Sequence, residues 1–93
     1  MLTAIVLIDT DASRIPEVAQ QISEVPGVSE VYSVTGDVDL VALVRVRAHE
    51  ELADVIADHV SKVEGVLRTQ TYIAFKTYSK HDLEAAFSIG IED

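Results

Sequence analysis

Apolar residues recur along the chain in two blocks that match each other at a distance of 38 residues. The run Leu2–Ile8 is answered by Leu40–Val46, and both are aliphatic runs of a length typical of buried strands. A helical spacing of apolar residues follows each run, with Ile15, Val18, Ile22 and Val25 in the first block and Leu52, Ile56, Val60 and Val63 in the second. Each block closes with a glycine and a further strand, predicted at Val28–Thr35 and Val66–Phe75.

Short polar segments separate these elements. Ser13 stands where the first helix begins and is the predicted capping residue, with Pro16 in the first turn, where a missing N–H costs nothing. Gly36-Asp37 is a hairpin signal between the second and third strands. The chain therefore reads strand, helix, strand, and then the same order again.

Two right-handed strand-helix-strand units that share one sheet give a ferredoxin-like βαββαβ sandwich of the α+β class. Its antiparallel sheet carries both helices on one face, and the first and third strands, which are the most apolar, lie at the centre. We expect this domain to span residues 1–78. Residues 79–93 would form a C-terminal extension whose short helix docks on a neighbouring protomer.

The second face of that sheet is also apolar. Even positions of the central strands can pack on the helices, which leaves Ile5, Leu7, Val41 and Leu43 on the other side. Burying the four is worth roughly 6–12 kcal/mol at about 1.5–3 kcal/mol each, which rivals the whole stability of a small domain. The pattern predicts an obligate homodimer through the sheet faces, of the dimeric α+β barrel type.

Composition limits which binding partners, covalent cross-links and cellular locations the chain is expected to have. The 93 residues include 16 acidic and 7 basic side chains, a net charge of −9, so direct binding to nucleic acid is disfavoured. Without cysteine the chain has neither disulfides nor thiolate metal ligands. The run Leu2–Ile8 is too short for a signal peptide or a membrane span. We expect a cytoplasmic protein.

The joint between the two blocks is the best candidate site. In the segment Thr35–Asp39, Gly36 would let the backbone approach a ligand and present N–H groups to a carboxylate. Asp37 and Asp39 could accept from an ammonium group, so one loop could hold both ends of a free amino acid. The alternative is an ordinary Gly-Asp hairpin turn whose carboxylates face only water.

Metal or catalytic chemistry has weaker support. The three histidines lie on different predicted elements, and Glu50, Asp54 and Asp58 repeat as the solvated side of a helix would. No nucleophilic triad and no glycine-rich phosphate loop is evident. We expect no cofactor, no metal and no catalytic residue.

Two segments resemble the effector-binding half of the Lrp/AsnC transcriptional regulators, known as the RAM domain. They are Val31–Asp39 (VYSVTGDVD) and Val63–Phe75 (VEGVLRTQTYIAF), and the likeness extends over residues 2–77. The resemblance implies a domain that dimerises through its sheet and often assembles further into rings such as octamers. It also implies that an amino acid or related effector binds between dimers, beside the Gly-Asp-x-Asp turn.

Carried over by position, the resemblance assigns the effector site to Thr35, Gly36, Asp37, Val38 and Asp39, with Thr69 and Thr71 of the fourth strand as polar neighbours. Val38 stands where the family frequently has an aromatic residue, which changes the expected pocket shape. The chain opens directly on the first strand, so we expect it to lack a DNA-binding helix-turn-helix of its own and to act by mixing subunits with full-length regulators.

Two other functions compete with this sensor. Ferredoxin-like dimers of this size also include small monooxygenases and isomerases, which would need a cavity between sheet and helices lined by tyrosine or histidine. The third possibility is a purely structural oligomerisation module.

Overall fold

The repeat in the sequence corresponds to a repeat in the structure, a computed structural model that describes residues 1–80. The predicted short helix of the C-terminal extension lies outside the described residues. Four strands form one antiparallel sheet in the order β2-β3-β1-β4. They are β1 (Leu2–Thr10), β2 (Val28–Ser33), β3 (Leu40–Val46) and β4 (Val66–Ile73). The predicted ferredoxin-like arrangement is confirmed, with the two most apolar strands at the centre.

Two helical segments cross the same face of the sheet. The first, α1, spans Ile15–Ser23 after a 3₁₀ turn over Ala12–Arg14. The second, α2, is α-helical only over His49–Ala53, widens into a π-helix over Asp54–His59 and ends in a 3₁₀ turn over Val60–Lys62. The second helix is therefore much less regular than its apolar stripe predicts.

Several predicted details differ from the structure, including the end of β2, which lies at Ser33 rather than Thr35. The capping residue is Asp11 rather than Ser13, because Asp11 Oδ1 accepts both the backbone N–H and the hydroxyl of Ser13, at 2.9 and 2.8 Å. These bonds hold the pKa of Asp11 below its ordinary value. Strand β4 ends at Ile73, two residues before the predicted end at Phe75. The hairpin connection spans 34–39 rather than a tight Gly-Asp turn.

The core lies between the helices and the even positions of the central strands. Fully buried side chains there are Ala4, Val6, Ile8, Leu40, Ala42 and Val44 of the sheet, with Val18, Ile22 and Val60 of the helices. Register explains the agreement, since β1 and β3 pair antiparallel from Leu2 opposite Val46 to Ile8 opposite Leu40, which puts even positions on one face. The helix-facing half of the predicted pattern is confirmed.

Gly27 and Gly65 end the two helices at equivalent places in the repeat, with φ of +100° and +102°. Both also fit into tight spaces. A Cβ on Gly65 would lie 2.7 Å from Cγ2 of the buried Val18. Gly36 differs, because its φ is +121° but nothing in the described part of the chain lies within 4 Å of a Cβ there.

We predict that Gly65→Ala destabilises the domain more than Gly36→Ala does. Both substitutions force an L residue into positive φ, at about 1–3 kcal/mol, but only Gly65→Ala adds overpacking, at about 1–3 kcal/mol more. Urea denaturation of the two variants measures the difference. Equal losses would mean that the contact between Gly65 and Val18 does not limit the fold.

Candidate functional site

The sheet face away from the helices is apolar in the middle and charged around its edge. We call it the open face. The cross-strand register places on it Ile5, Leu7, Val41, Leu43, Tyr32 and Tyr72, with Thr3, Asp9, Glu30, Arg45, Arg68 and Gln70 around them. Ile5 is 36% exposed and Tyr32 47% exposed, whereas Leu7, Val41 and Leu43 are half-buried, so the second face is partly open to water in the single chain.

The edge of the open face holds one specific polar contact. The hydroxyl of Tyr32 donates to the Glu30 carboxylate two residues before it on β2. That hydrogen bond and the negative charge of Glu30 raise the pKa of Tyr32 above its ordinary value. The hydroxyl is therefore a fixed donor at this edge at neutral pH.

Loop 34–39 closes against the end of the open face and forms a cavity there. The cavity has a volume of about 270 Å³ and is lined by Leu7, Asp9, Asp37, Val38, Arg68 and Gln70. Asp9 and Arg68 are direct cross-strand partners on β1 and β4. One small space thus combines a guanidinium, two carboxylates, an amide and two aliphatic side chains.

Asp39 anchors this loop to the sheet. Its backbone N–H donates to the carbonyl of Ile8 at 3.0 Å, and its Oδ2 accepts from the backbone N–H of Thr10 at 2.9 Å. Its carbonyl accepts from the N–H of Val34 at 3.1 Å. The hydrogen bonds of Asp39 therefore tie together the end of β1, the end of β2 and the start of β3.

These bonds change the interpretation of the two carboxylates. Asp39 is half-buried and one of its oxygens already holds the β1 backbone, so it is neither free for a ligand nor simply in water. Asp37 is exposed and lines the cavity. Its carboxylate is the one that the loop leaves available.

The structure divides the sequence-predicted site residues. It brings Asp37 and Val38 together with Arg68 and Gln70, two residues that the sequence did not single out for the site. Thr35 and Gly36 are exposed in the same loop. Thr69 and Thr71 lie opposite Ile8 and Val6 in the ladder, and therefore on the helix-facing side of β4, away from this cavity. Their role in binding stays a prediction.

One buried polar atom lies next to the loop. The Oγ1 of Thr10, a residue only 5% exposed, has no hydrogen-bond partner among residues 1–80. Such a hydroxyl normally has a partner in a folded protein. Thr10 is also the residue whose N–H binds Asp39, so an unsatisfied group and the loop anchor adjoin each other.

Over the described range, no three histidine, aspartate or glutamate side chains lie together as possible metal ligands. No helix there is both long and apolar enough to cross a membrane.

Comparison with known proteins agrees with this fold. The model of the Lrp/AsnC ligand-binding domain matches residues 3–83. The chain belongs to the Lrp/AsnC ligand-binding domain family. It is 37% identical over 79 residues to the HTH-type transcriptional regulator FL11 of Pyrococcus furiosus, covering 85% of this chain and 52% of that protein.

A second relative gives the same picture. The HTH-type transcriptional regulator LrpA of Pyrococcus horikoshii is 34% identical over 67 residues, covering 72% of this chain and 48% of the regulator. The chain thus spans about half the length of these relatives.

Solved structures extend the comparison. TTHA0845 from Thermus thermophilus superposes with a TM-score of 0.81 at 49% identity, covering 86% of this chain and all of that one (100%). AsnC of E. coli, at 19% identity, has a TM-score of 0.79 over 84% of this chain and 53% of its own, and shares the fold.

The Lrp/AsnC domain should be less tolerant of Asp39→Ala than of Asp37→Ala. Removing the Asp39 carboxylate leaves the N–H of Thr10 without its acceptor, which costs about 1–3 kcal/mol. The exposed Asp37 should change stability by no more than about 0.5 kcal/mol. Denaturant unfolding measures both, and Asp39→Asn, which keeps an oxygen acceptor, should recover part of the loss. Equal stability of the two alanine variants would contradict the anchoring role of Asp39.

Proposed function

We propose that this Lrp/AsnC domain is a non-enzymatic sensor that binds an amino acid or a related metabolite in the cavity beside loop 34–39. A free amino acid carries a carboxylate and an ammonium on one carbon. The cavity offers Arg68 for the first and the carboxylates of Asp37 and Asp9 for the second. Leu7 and Val38 provide an apolar wall for a side chain. This match of groups in one space is the observation that carries the proposal.

A related protein supports the class of ligand. The structure of the transcriptional regulator NMB0573 of Neisseria meningitidis is a complex with L-Met, and this chain shares its fold at a TM-score of 0.75 and 19% identity. For the present chain, amino acids are the first ligands to test.

The proposed assembly is a homodimer through the open face, with larger rings built from such dimers. Exposed Ile5, Tyr32 and Tyr72 support it, as does the mixed charge around them, because Asp9 and Glu30 on one copy can meet Arg45 and Arg68 on another. The cavity opens beside Leu7 and Asp9 at the end of this face, so a second copy would help to enclose it.

The regulatory role follows from linkage. An effector enclosed between copies favours the assembly state that binds it best, by as much as its differential affinity for that state. Since the relatives are named transcriptional regulators, we propose that this chain works in the cytoplasm on transcription, by mixing subunits with full-length Lrp/AsnC regulators.

The enzyme alternative has less support. It requires a cavity between sheet and helices lined by tyrosine or histidine, but the middle of that layer is filled by fully buried aliphatic side chains such as Val6, Ile22 and Leu40. Tyr32, Tyr72 and Tyr78 are all exposed instead. This packing favours binding over turnover.

We predict that Leu43→Asp converts the dimer to a monomer. Leu43 lies opposite Ile5 at the middle of the open face, and a carboxylate there would lose its water on dimerisation without gaining a partner. In the single chain Leu43 is only half-buried, so the variant should still fold. Sedimentation velocity at micromolar concentration measures the change. The control Leu67→Asp puts the same charge on a 70% exposed side chain of β4 that has no cross-strand partner in the register with β1. A monomeric unsubstituted chain would end the dimer proposal.

We predict that Asp37→Asn and Arg68→Gln each weaken amino-acid binding about 10- to 150-fold, the value of one charge-assisted hydrogen bond. A thermal-shift screen of the common amino acids finds the ligand, and calorimetry measures the affinities. The control Asp58→Asn removes a charge from an exposed residue of the π-helix.

The variant Thr71→Val separates the two possible sets of ligand contacts. It leaves binding intact if the effector occupies the cavity, because Thr71 lies on the other side of β4. Loss of binding in Thr71→Val, with full binding in Arg68→Gln, would transfer the site to the helix-facing side.

A further inference from the structure

The chain beyond β4 continues as an extended segment with two exposed aromatic side chains. The N–H of Ala74 donates to the carbonyl of Thr3 at 2.8 Å, one residue after β4 ends. Beyond it Phe75 is 105% exposed and Tyr78 is 82% exposed. We call the segment Ala74–Tyr78 the arm. An aromatic ring held wholly in water is unfavourable, and such exposed apolar groups mark contact surfaces.

The arm also differs in charge from the rest of the chain. Residues 74–80 include Lys76 and Lys80 and no acidic residue, whereas acidic residues outnumber basic ones by twelve to five over residues 1–73. Lys76 Nζ lies 5.2 Å from the centre of the Tyr78 ring, a cation–π contact that holds the end of the arm together. A basic aromatic segment is attached to an acidic body.

The acidic part of the chain, residues 1–73, carries a groove whose lining is complementary to a basic aromatic segment. The groove has a volume of about 420 Å³ at the end of the sheet where β1 starts and β3 ends. Pro26, Gly27, Val46 and Val55 give it an apolar surface, and Glu51 and Asp54 add negative charge. Gly27 is tightly packed there, since a Cβ on it would lie 2.9 Å from Cγ2 of Val55.

Basic groups also line this groove. Arg45 and Arg47 contribute, and the backbone N–H of Arg47 donates to Glu51 Oε2 at 3.3 Å. Guanidinium groups stack on aromatic rings, so they complement Phe75 and Tyr78 as the carboxylates complement Lys76.

We propose that the arm of one copy occupies the groove of a second copy, and that the exchange is reciprocal. The arm leaves the sheet beside Thr3, and the groove begins at Met1 and Val46, so both lie at one end of the molecule. A two-fold axis near that end brings each arm to the other copy's groove in a closed, self-complementary contact. The exposure of Phe75 and Tyr78 shows that the arm does not cover its own chain in this way.

This contact needs a second copy but no effector. It can therefore fail while ligand binding beside loop 34–39 stands. It shares only Arg45 with the open face, and Leu43→Asp changes the middle of that face without altering the arm or the other groove residues.

Photocrosslinking tests the contact directly. The chain is made with benzoylphenylalanine in place of Phe75, mixed with an equal amount of ¹⁵N-labelled chain without the photoprobe, and irradiated. Peptide mass spectrometry then identifies the crosslinked residues and, from the isotope, the chain they belong to. We expect crosslinks to residues 45–59 or 26–27 of the labelled chain. Crosslinks only within one chain, only to other surfaces, or none at all would overturn the proposal.

A pair of matched variants measures the contribution to assembly. We expect Phe75→Ala to raise the dissociation constant of the assembly about 10-fold or more, in line with the loss of one buried aromatic side chain. Leu67→Ala, which shortens another exposed apolar side chain of the same chain, should leave it unchanged. Sedimentation equilibrium gives both values. An unchanged constant for Phe75→Ala would also overturn the proposal.

Discussion

The sheet has two apolar faces, but the helices cover only one of them. The core, the open face and the proposed assembly all depend on this arrangement. The side chains of Val6, Leu40 and Val44 are fully buried beneath α1 and α2. Their neighbours Ile5, Leu7 and Leu43 alternate to the other side, where no helix of the described chain covers them. Covering that side from another molecule restores the favourable burial that a single chain of this size lacks. In the proposed dimer, sites near the end of the open face would belong to the assembly as much as to one chain.

Asp39 links the sheet to the loop that lines the proposed ligand cavity. Two of its three hydrogen bonds fix loop 34–39 to the end of β1, so the cavity wall carrying Asp37 and Val38 is positioned by the sheet itself. A shift in the sheet end would move Asp37 relative to Arg68, which lies on another strand. The proposed binding groups would therefore respond to how two sheets meet, and this response is the physical basis of the proposed coupling between effector and assembly.

The repeat in the sequence predicts most of this fold for a simple reason. Alternation along β1 and β3 assigns residues to faces, and the most apolar strands must be central, so strand order and core follow without knowledge of distant contacts. The sequence does not decide between neighbouring residues that can play the same local role. Asp11 and Ser13 can both cap a helix, and only the structure shows that Asp11 accepts and Ser13 donates. The π-helix over Asp54–His59 likewise could not be predicted, because the apolar residues of this segment keep ordinary α-helical spacing.

The sequence predicts the loop of the candidate site but not the β4 residues beside it, because those residues depend on the register between β4 and β1. The motif identifies loop 34–39, but which β4 residues face it depends on the pairing of β4 with β1 and on the irregularity between Asp9 and Thr10. A shift by one residue exchanges Arg68 and Gln70 for Thr69 and Thr71. The bond from Thr10 to Asp39 likewise joins residues 29 positions apart. No local pattern reveals that one of two similar carboxylates holds the backbone while the other remains free for a ligand.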